Sequence, residues 1–168
     1  MTALLEIDVS VNCPSWRDAL PEADTLGERA ARAAYAAAGI GDEDAEASLV
    51  LAGDDFVQDL NRDYRGQDKP TNVLSFANLD GEAGPESGPP LLLGDVVIAL
   101  ETTVAEAEAT GTSLSDHFCH LVVHGMLHLL GFDHQTDAQA ERMERLESRI
   151  LQEMGISDPY AENPEGLN

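Results

Sequence analysis

Residues 113–134 read SLSDHFCHLVVHGMLHLLGFDH, and this stretch decides how the chain arranges its most distinctive side chains. Ser113 with Asp116 three residues later is a pattern that caps the start of a helix. Gly131 is the kind of residue that commonly ends one. We therefore predict a helix that starts at Ser113, runs to about Leu130, and is followed by a reversal of the chain at Gly131.

All five histidines of the chain fall in this stretch. On a regular helix, an arc of about 80° holds four of them: His117, His120, His124 and His128. His120 and His128 lie about 12 Å apart along the axis, too far to share one ion. Histidines four residues apart stand one turn apart on the same face. The candidate metal-binding pairs are therefore His120 with His124, or His124 with His128.

A third histidine distinguishes the two pairs. After the chain reversal, His134 can approach an ion held by His124 and His128 from the other side. This spacing gives three neutral nitrogen ligands and an open fourth position, which is typical of a catalytic rather than a structural zinc site. The competing interpretation is that these are buried or capping histidines. For His117 and His120 we favour that interpretation, or a role in supporting the ligands.

The composition excludes several classes of protein. The chain has 168 residues, with 32 Asp and Glu against 9 Lys and Arg, for a formal net charge of -23. A hydrophobic fraction of 43% is enough for a packed core in one domain. The low number of cations excludes a nucleic-acid binder that covers phosphates with basic side chains. Two cysteines, Cys13 and Cys119, are too few for a disulfide framework or a thiolate zinc site.

Neither a signal peptide nor a membrane span is predicted. The N-terminal stretch lacks a basic region and reaches Glu6 early. The longest apolar stretch, residues 118–132, contains three histidines and is too short to cross a bilayer. We expect a cytoplasmic protein that does not associate with a membrane.

Apolar patterning and turn residues predict an α+β fold in a single domain, with a small mixed sheet of about four strands packed with about five helices. The predicted strands are Leu5–Val11, Ser48–Ala52, Asn72–Phe76 and Asp95–Ala99. Helices are predicted from Leu26 to Ala38, from Asp54 or Asp55 to Gly66, after the fourth strand through Ala109, from Ser113 to about Leu130, and from Thr136 onward. The last helix turns Met143, Leu146, Ile150 and Met154 inward, and residues 78–90 form a loop. Residues 1–155 form the predicted metallohydrolase domain, and 156–168 a polar tail.

Three motifs together resemble the YbeY family of metal-dependent endoribonucleases and rRNA maturation factors. They are HGMLHLLGFDH at 124–134, LNRDYRGQDKPTNVLSF at 60–76 and LGD at 93–95. The resemblance extends in order from about Leu49 to Tyr160. It implies a small mixed sheet packed with helices, which agrees with the fold predicted above.

The resemblance also implies what the site does. It assigns one Zn²⁺ per chain to His124, His128 and His134, and it makes Arg65 the functional arginine that holds or stabilises a phosphate. The implied partners are RNA, namely an rRNA precursor, and the ribosome or its small subunit. The implied activity is single-strand-preferring cleavage in rRNA maturation and ribosome quality control. From the residues alone, the favoured interpretation of Arg65 is a surface arginine that complements a helix dipole, and it is the resemblance that assigns the functional role.

Two other functions remain open from the sequence. The same histidine spacing occurs in metzincin proteases, which place a glutamate directly after the first histidine as a general base. Here that position is Gly125, which disfavours peptide hydrolysis, whereas a metal can still polarise a phosphodiester. A ribosome-assembly RNA-binding factor with a structural metal is the other alternative. The cations Arg62, Arg65 and Lys69 are the predicted local RNA contact.

Overall fold

Four strands form one mixed sheet in the computed structural model, which describes residues 5–38, 44–77, 91–133 and 135–156. In chain order they are β1 (Leu5–Val11), β2 (Ala45–Ala52), β3 (Val73–Ala77) and β4 (Leu91–Ala99). The spatial order is β1-β2-β4-β3, in which β1, β2 and β4 are parallel and β3 is an antiparallel edge strand. Burial alternates along most of β2, because successive side chains of a strand point to opposite faces.

Six helices within the described residues complete the predicted α+β fold. They are α1 (Ser15–Ala19), α2 (Ala23–Ala38), α3 (Asp54–Arg65), α4 (Leu100–Thr110), α5 (Leu114–Leu129) and α6 (Asp137–Glu153). The sequence predicted about five, and the additional one is α1. Its five residues are too few to show a helical period. Trp16 of α1 is fully buried and donates its indole N–H to the carbonyl oxygen of Ala52 at 2.8 Å.

Helices α2 and α5 cover one face of the sheet, and α6 packs against both of them. The core of this layer contains Leu49 and Ile98 from the sheet and Phe118 from α5. Phe118 also packs against Trp16, with 5.3 Å between the ring centroids. Because α5 also contacts α4, it is the central helix of the molecule.

Helix α3 covers the opposite face. Its Val57 belongs to a second, smaller core with Leu74 and Val97 of the sheet. The start of α3 is tied to α4, since the backbone N–H of Asp54 donates to Glu101 at 2.8 Å. The Asp54 carboxylate in turn accepts from the backbone N–H of Thr102 at 3.0 Å. The sheet therefore lies between α3 and α5.

The predicted boundaries differ from the observed ones mainly at the starts of elements. Strand β2 begins at Ala45 rather than Ser48, and β4 begins at Leu91 rather than Asp95. The predicted loop at 78–90 lies outside the described residues, as does nearly all of the predicted tail at 156–168. Among the helices that the structure describes, none combines the length and apolar character needed to cross a bilayer.

Candidate metal centre

Helix α5 begins and ends as its sequence predicts. The Ser113 hydroxyl accepts a hydrogen bond from the backbone N–H of Asp116 at 3.1 Å. Beyond the last turn, Gly131 takes a φ of 101°, a conformation that favours glycine. The backbone N–H of Phe132 donates back to the carbonyl oxygen of Leu127 at 3.0 Å. The chain therefore reverses direction directly after the helix that carries the histidines.

The structure brings His124 and His128 together. Their Nε2 atoms are 3.2 Å apart. Two nitrogens that each lie about 2.0–2.1 Å from a tetrahedral zinc ion are about 3.3–3.4 Å apart, so the two imidazoles fit one such ion with little adjustment. The ring centroids of the other candidate pair, His120 and His124, are 6.5 Å apart, against 4.7 Å for His124 and His128. The geometry favours the second pair.

The third predicted ligand, His134, lies outside the described residues. Within the described ranges, no group of three or more His, Cys, Asp or Glu side chains is arranged to hold a metal ion. The structure thus supplies two neighbouring imidazole nitrogens and the chain reversal that precedes residue 134. The assignment of zinc to His124, His128 and His134 stays a prediction.

A buried carboxylate on α6 contacts two of the histidines, and sequence reasoning missed it. Glu147 is fully buried, with 0% of its side chain exposed. One carboxylate oxygen lies 2.8 Å from Nε2 of His120, and the other lies 2.6 Å from Nδ1 of His124. The sequence did contain a clue. Glu147 stands on the face of α6 that also buries Met143 and Ile150, and a charged residue in an apolar stripe requires a partner.

A second carboxylate supports the histidine that is nearest the start of α5. Nε2 of His117 lies 2.8 Å from a carboxylate oxygen of Glu106 on α4. The side-chain amide of Asn72, just before β3, donates to the same carboxylate at 3.0 Å. His117 and His120 are therefore held by carboxylates from α4 and α6, respectively.

Gly125 lies where α5 comes closest to the sheet. A Cβ atom built at this position would be 2.7 Å from Cγ1 of Val96 and 3.2 Å from the hydroxyl of Ser75. The Ser75 hydroxyl donates to the Gly125 carbonyl oxygen at 3.0 Å. A glutamate here would point into the sheet and not toward a substrate. The position that carries the general base in metzincin proteases is thus closed to any side chain.

Arg65 is exposed at the last turn of α3, before Gly66 in a left-handed conformation. Helices α3 and α5 pack on opposite faces of the sheet, and no hydrogen bond or ion pair within the described residues joins Arg65 to the histidines. The described part of the chain also gives Arg65 no ion pair. Its neighbour Arg62 differs, since it pairs with Asp59 at 3.3 Å and with Asp63 at 3.1 Å. These carboxylates raise the pKa of the Arg62 guanidinium.

Cys119 is a core residue on α5. Only 1% of it is exposed. Burial, with a smaller contribution from the charge of Asp116, raises the pKa of the Cys119 thiol to about 11. The thiol therefore stays protonated near neutral pH and is not a thiolate ligand.

A model of the endoribonuclease YbeY family matches residues 17–155. The matched range includes His124 and His128, as well as the helices that carry Arg65 and Glu147. The chain belongs to the YbeY family. The match covers most of the chain and confirms the resemblance carried by the three motifs.

Curated members of the YbeY family match over nearly the full chain. The chain is 54% identical to the endoribonuclease YbeY of Paramagnetospirillum magneticum over 163 residues, which covers 96% of this chain and 99% of that protein. It is 54% identical to the Rhodospirillum rubrum protein over 154 residues, covering 88% and 77% of the two chains. The Azorhizobium caulinodans protein is 48% identical over 165 residues, covering 96% and 100%.

A solved structure supports the fold. The solution structure of TM1509 from Thermotoga maritima aligns with a TM-score of 0.51, covering 93% of this chain and 99% of that one. At 20% sequence identity, this similarity shows that the two chains share a fold.

Proposed function

We propose that this protein is a zinc-dependent endoribonuclease that cleaves single-stranded RNA in rRNA maturation and ribosome quality control. The observation that carries the proposal is the 3.2 Å separation of the His124 and His128 Nε2 atoms, within a chain that belongs to the YbeY family. The proposed substrate is an rRNA precursor, and the proposed partner is the ribosome or its small subunit in the cytoplasm.

The proposed metal centre consists of His124, His128 and His134, which would hold one zinc ion per chain. A bound zinc ion supplies Lewis-acid chemistry toward a phosphoryl oxygen and toward water. The protein supplies neutral nitrogen donors, which leave the ion its full charge for an anionic substrate. It also supplies rigidity, because His124 contacts a buried carboxylate and Gly125, the next residue, is held against the sheet by Ser75.

The RNA would be held near the edge strand β3. Ser75 of β3 contacts Gly125 beside the histidines, while the next residue, Phe76, packs against the ring of Tyr64 with 5.6 Å between centroids. Tyr64 is 71% exposed and directly precedes Arg65. An exposed aromatic ring beside an unpaired cation is typical of surfaces that bind single-stranded nucleic acid. One strand of RNA passing around this edge could contact both sites.

Proteolysis is disfavoured by the packing of Gly125. Peptide hydrolysis at such a site needs a carboxylate that accepts a proton from water and passes it to the leaving amine. The close approach of Val96 leaves no room for that carboxylate at position 125. Cleavage of a phosphodiester does not depend on a group at this position.

The test is RNA cleavage by a His128→Ala variant, with His117→Ala as the matched control. Both histidines lie on the same face of α5, but Nε2 of His117 is bound to Glu106. With zinc-loaded protein and a single-stranded segment of precursor rRNA, we expect His128→Ala to lose more activity than the roughly 10–100-fold that follows loss of a supporting neighbour. We expect His117→Ala to retain activity and both variants to keep the wild-type circular dichroism spectrum.

Two outcomes would favour the RNA-binding factor with a structural metal. Either the zinc-loaded wild-type protein binds the RNA without cutting it, or His128→Ala unfolds the domain while the wild type shows no turnover. Cleavage that is unaffected by His128→Ala would contradict the metal centre. Co-sedimentation of the wild-type protein with small ribosomal subunits tests the proposed partner.

A further inference from the structure

We propose that Glu147 is a positioning residue that orients His124 for metal binding, with His120 as its second contact. This inference rests on the metal centre of the proposed function. It assigns a role to the one fully buried carboxylate within the described core and to a histidine that does not pair with His128.

The hydrogen bonds fix the tautomer of His124. An ionised carboxylate can only accept hydrogen bonds, so the imidazole nitrogen that faces it carries the proton. Nδ1 of His124 lies 2.6 Å from Glu147 and therefore donates to it. Nε2 of the neutral ring then keeps its lone pair, and this is the atom that lies 3.2 Å from Nε2 of His128. The carboxylate thus presents the correct nitrogen at the metal position.

His120 holds the carboxylate in place. Its Nε2 donates to the other oxygen of Glu147 at 2.8 Å, so the two carboxylate oxygens bridge two successive turns of α5. With both oxygens engaged, rotation of the carboxylate away from His124 would break the bond to His120. His120 does not approach His128, and its contact with Glu147 gives it a function at this position of α5.

The charge of Glu147 favours a cation at the same site. A carboxylate removed from water is costly unless positive charge lies nearby. The proposed ion would be separated from Glu147 by a single imidazole ring, and a carboxylate bound to the far nitrogen raises the basicity of a ligating histidine. A bound ion would therefore lower the free-energy cost of burying the Glu147 charge, and that charge would in turn strengthen binding of the ion.

The test compares the zinc affinity of Glu147→Gln with that of Glu106→Gln. Both substitutions remove a helical carboxylate that contacts a histidine of α5 at 2.8 Å or less, but only Glu147 contacts His124. Competition with a chromophoric chelator should show zinc binding weakened by roughly 10–100-fold in Glu147→Gln and unchanged in Glu106→Gln.

Thermal melting separates positioning from a merely structural role. If Glu147 positions His124, Glu147→Gln should melt near the wild-type temperature without metal, and added zinc should raise its melting temperature less. If the variant does not fold, Glu147→Asp retracts the carboxylate by one methylene and is expected to weaken zinc binding as well. Wild-type zinc affinity in the folded variant would overturn the role of Glu147. A wild-type protein that binds no zinc would instead overturn the metal centre itself.

Discussion

At the scale of single residues, the two arginines near the end of α3 differ in what already surrounds them. The guanidinium of Arg62 forms ion pairs with the carboxylates of Asp59 and Asp63. Arg65 has no ion pair within the described residues and lies beside the exposed ring of Tyr64. An arginine that is already paired must give up its partners before it can bind a phosphate, whereas an unpaired one does not. Arg65 is therefore the better phosphate ligand.

We expect Arg65→Ala to weaken binding of single-stranded RNA by roughly 10–150-fold, since a hydrogen bond to a charged group contributes about 1.5–3 kcal/mol. Arg62→Ala, the matched control, should change it less. Fluorescence anisotropy with labelled RNA measures both. If Arg65 only complements the dipole of α3, its replacement should instead lower the stability by about 0.3–1 kcal/mol and leave RNA binding unchanged.

The residues of the candidate site differ in how far the sequence reveals them. The spacing of His124 and His128 is local, because both lie on one helix, and the structure brings them together as the spacing suggests. The contacts of Glu147 span 23 and 27 residues of the chain. No local pattern encodes which histidines it meets. Only its position in an apolar stripe of α6 distinguishes it from the many surface glutamates of this chain.

At the scale of elements, the position of the histidines depends on how closely α5 approaches the sheet. That approach is set at Gly125, where the helix meets Val96 of β4. Any side chain here would push the helix outward, and His124 would move with it. Glycine at position 125 therefore lets α5 pack closely against β4, and it also leaves the site without a carboxylate at this position.

We expect Gly125→Ala to destabilise the fold. Alanine is favoured over glycine in a helix by about 1 kcal/mol, but overpacking a core costs about 1–3 kcal/mol, and a contact of 2.7 Å with a buried valine cannot relax easily. Urea unfolding measures the free energy of unfolding of Gly125→Ala, of Val96→Ala and of the double variant. Because Val96→Ala removes the opposing methyl groups, Gly125→Ala should cost less in that background. Equal costs in both backgrounds would contradict the proposed clash.

The elements themselves were predictable where the local pattern is strong. The starts of α5 at Ser113 and of α6 at Thr136 are both present as predicted, and Thr136 forms a capping box with Gln139. The order of the strands was not predicted, since it depends on pairing between distant segments. The first residues of β2 and β4 were missed because acidic or loop-like neighbours obscured their alternation.

At the scale of the whole molecule, the formal net charge of -23 opposes both folding and RNA binding. Like charges spread over the surface repel one another, and salt screens them, with a Debye length of about 10 Å at 0.1 M and about 3 Å at 1 M. The same field repels the phosphates of an approaching RNA. The local cations at the end of α3 and the proposed metal ion must attract the RNA against this field.

The salt dependence of RNA binding should therefore be shallow. Each phosphate neutralised by a side chain contributes about -0.7 to the slope of log affinity against log salt for a single strand. Within the described residues, Arg65 and Lys69 are the cations near the end of α3 that form no ion pair. With these two contacts we expect a slope of about -1.4 or weaker, because screening of the net repulsion acts in the opposite direction. Binding is measured on the His128→Ala variant, so that the RNA stays intact, and adding Arg65→Ala should reduce the slope by about 0.7. A slope near -4, equivalent to about six phosphate contacts, would mean that the RNA is held by a basic surface other than the end of α3.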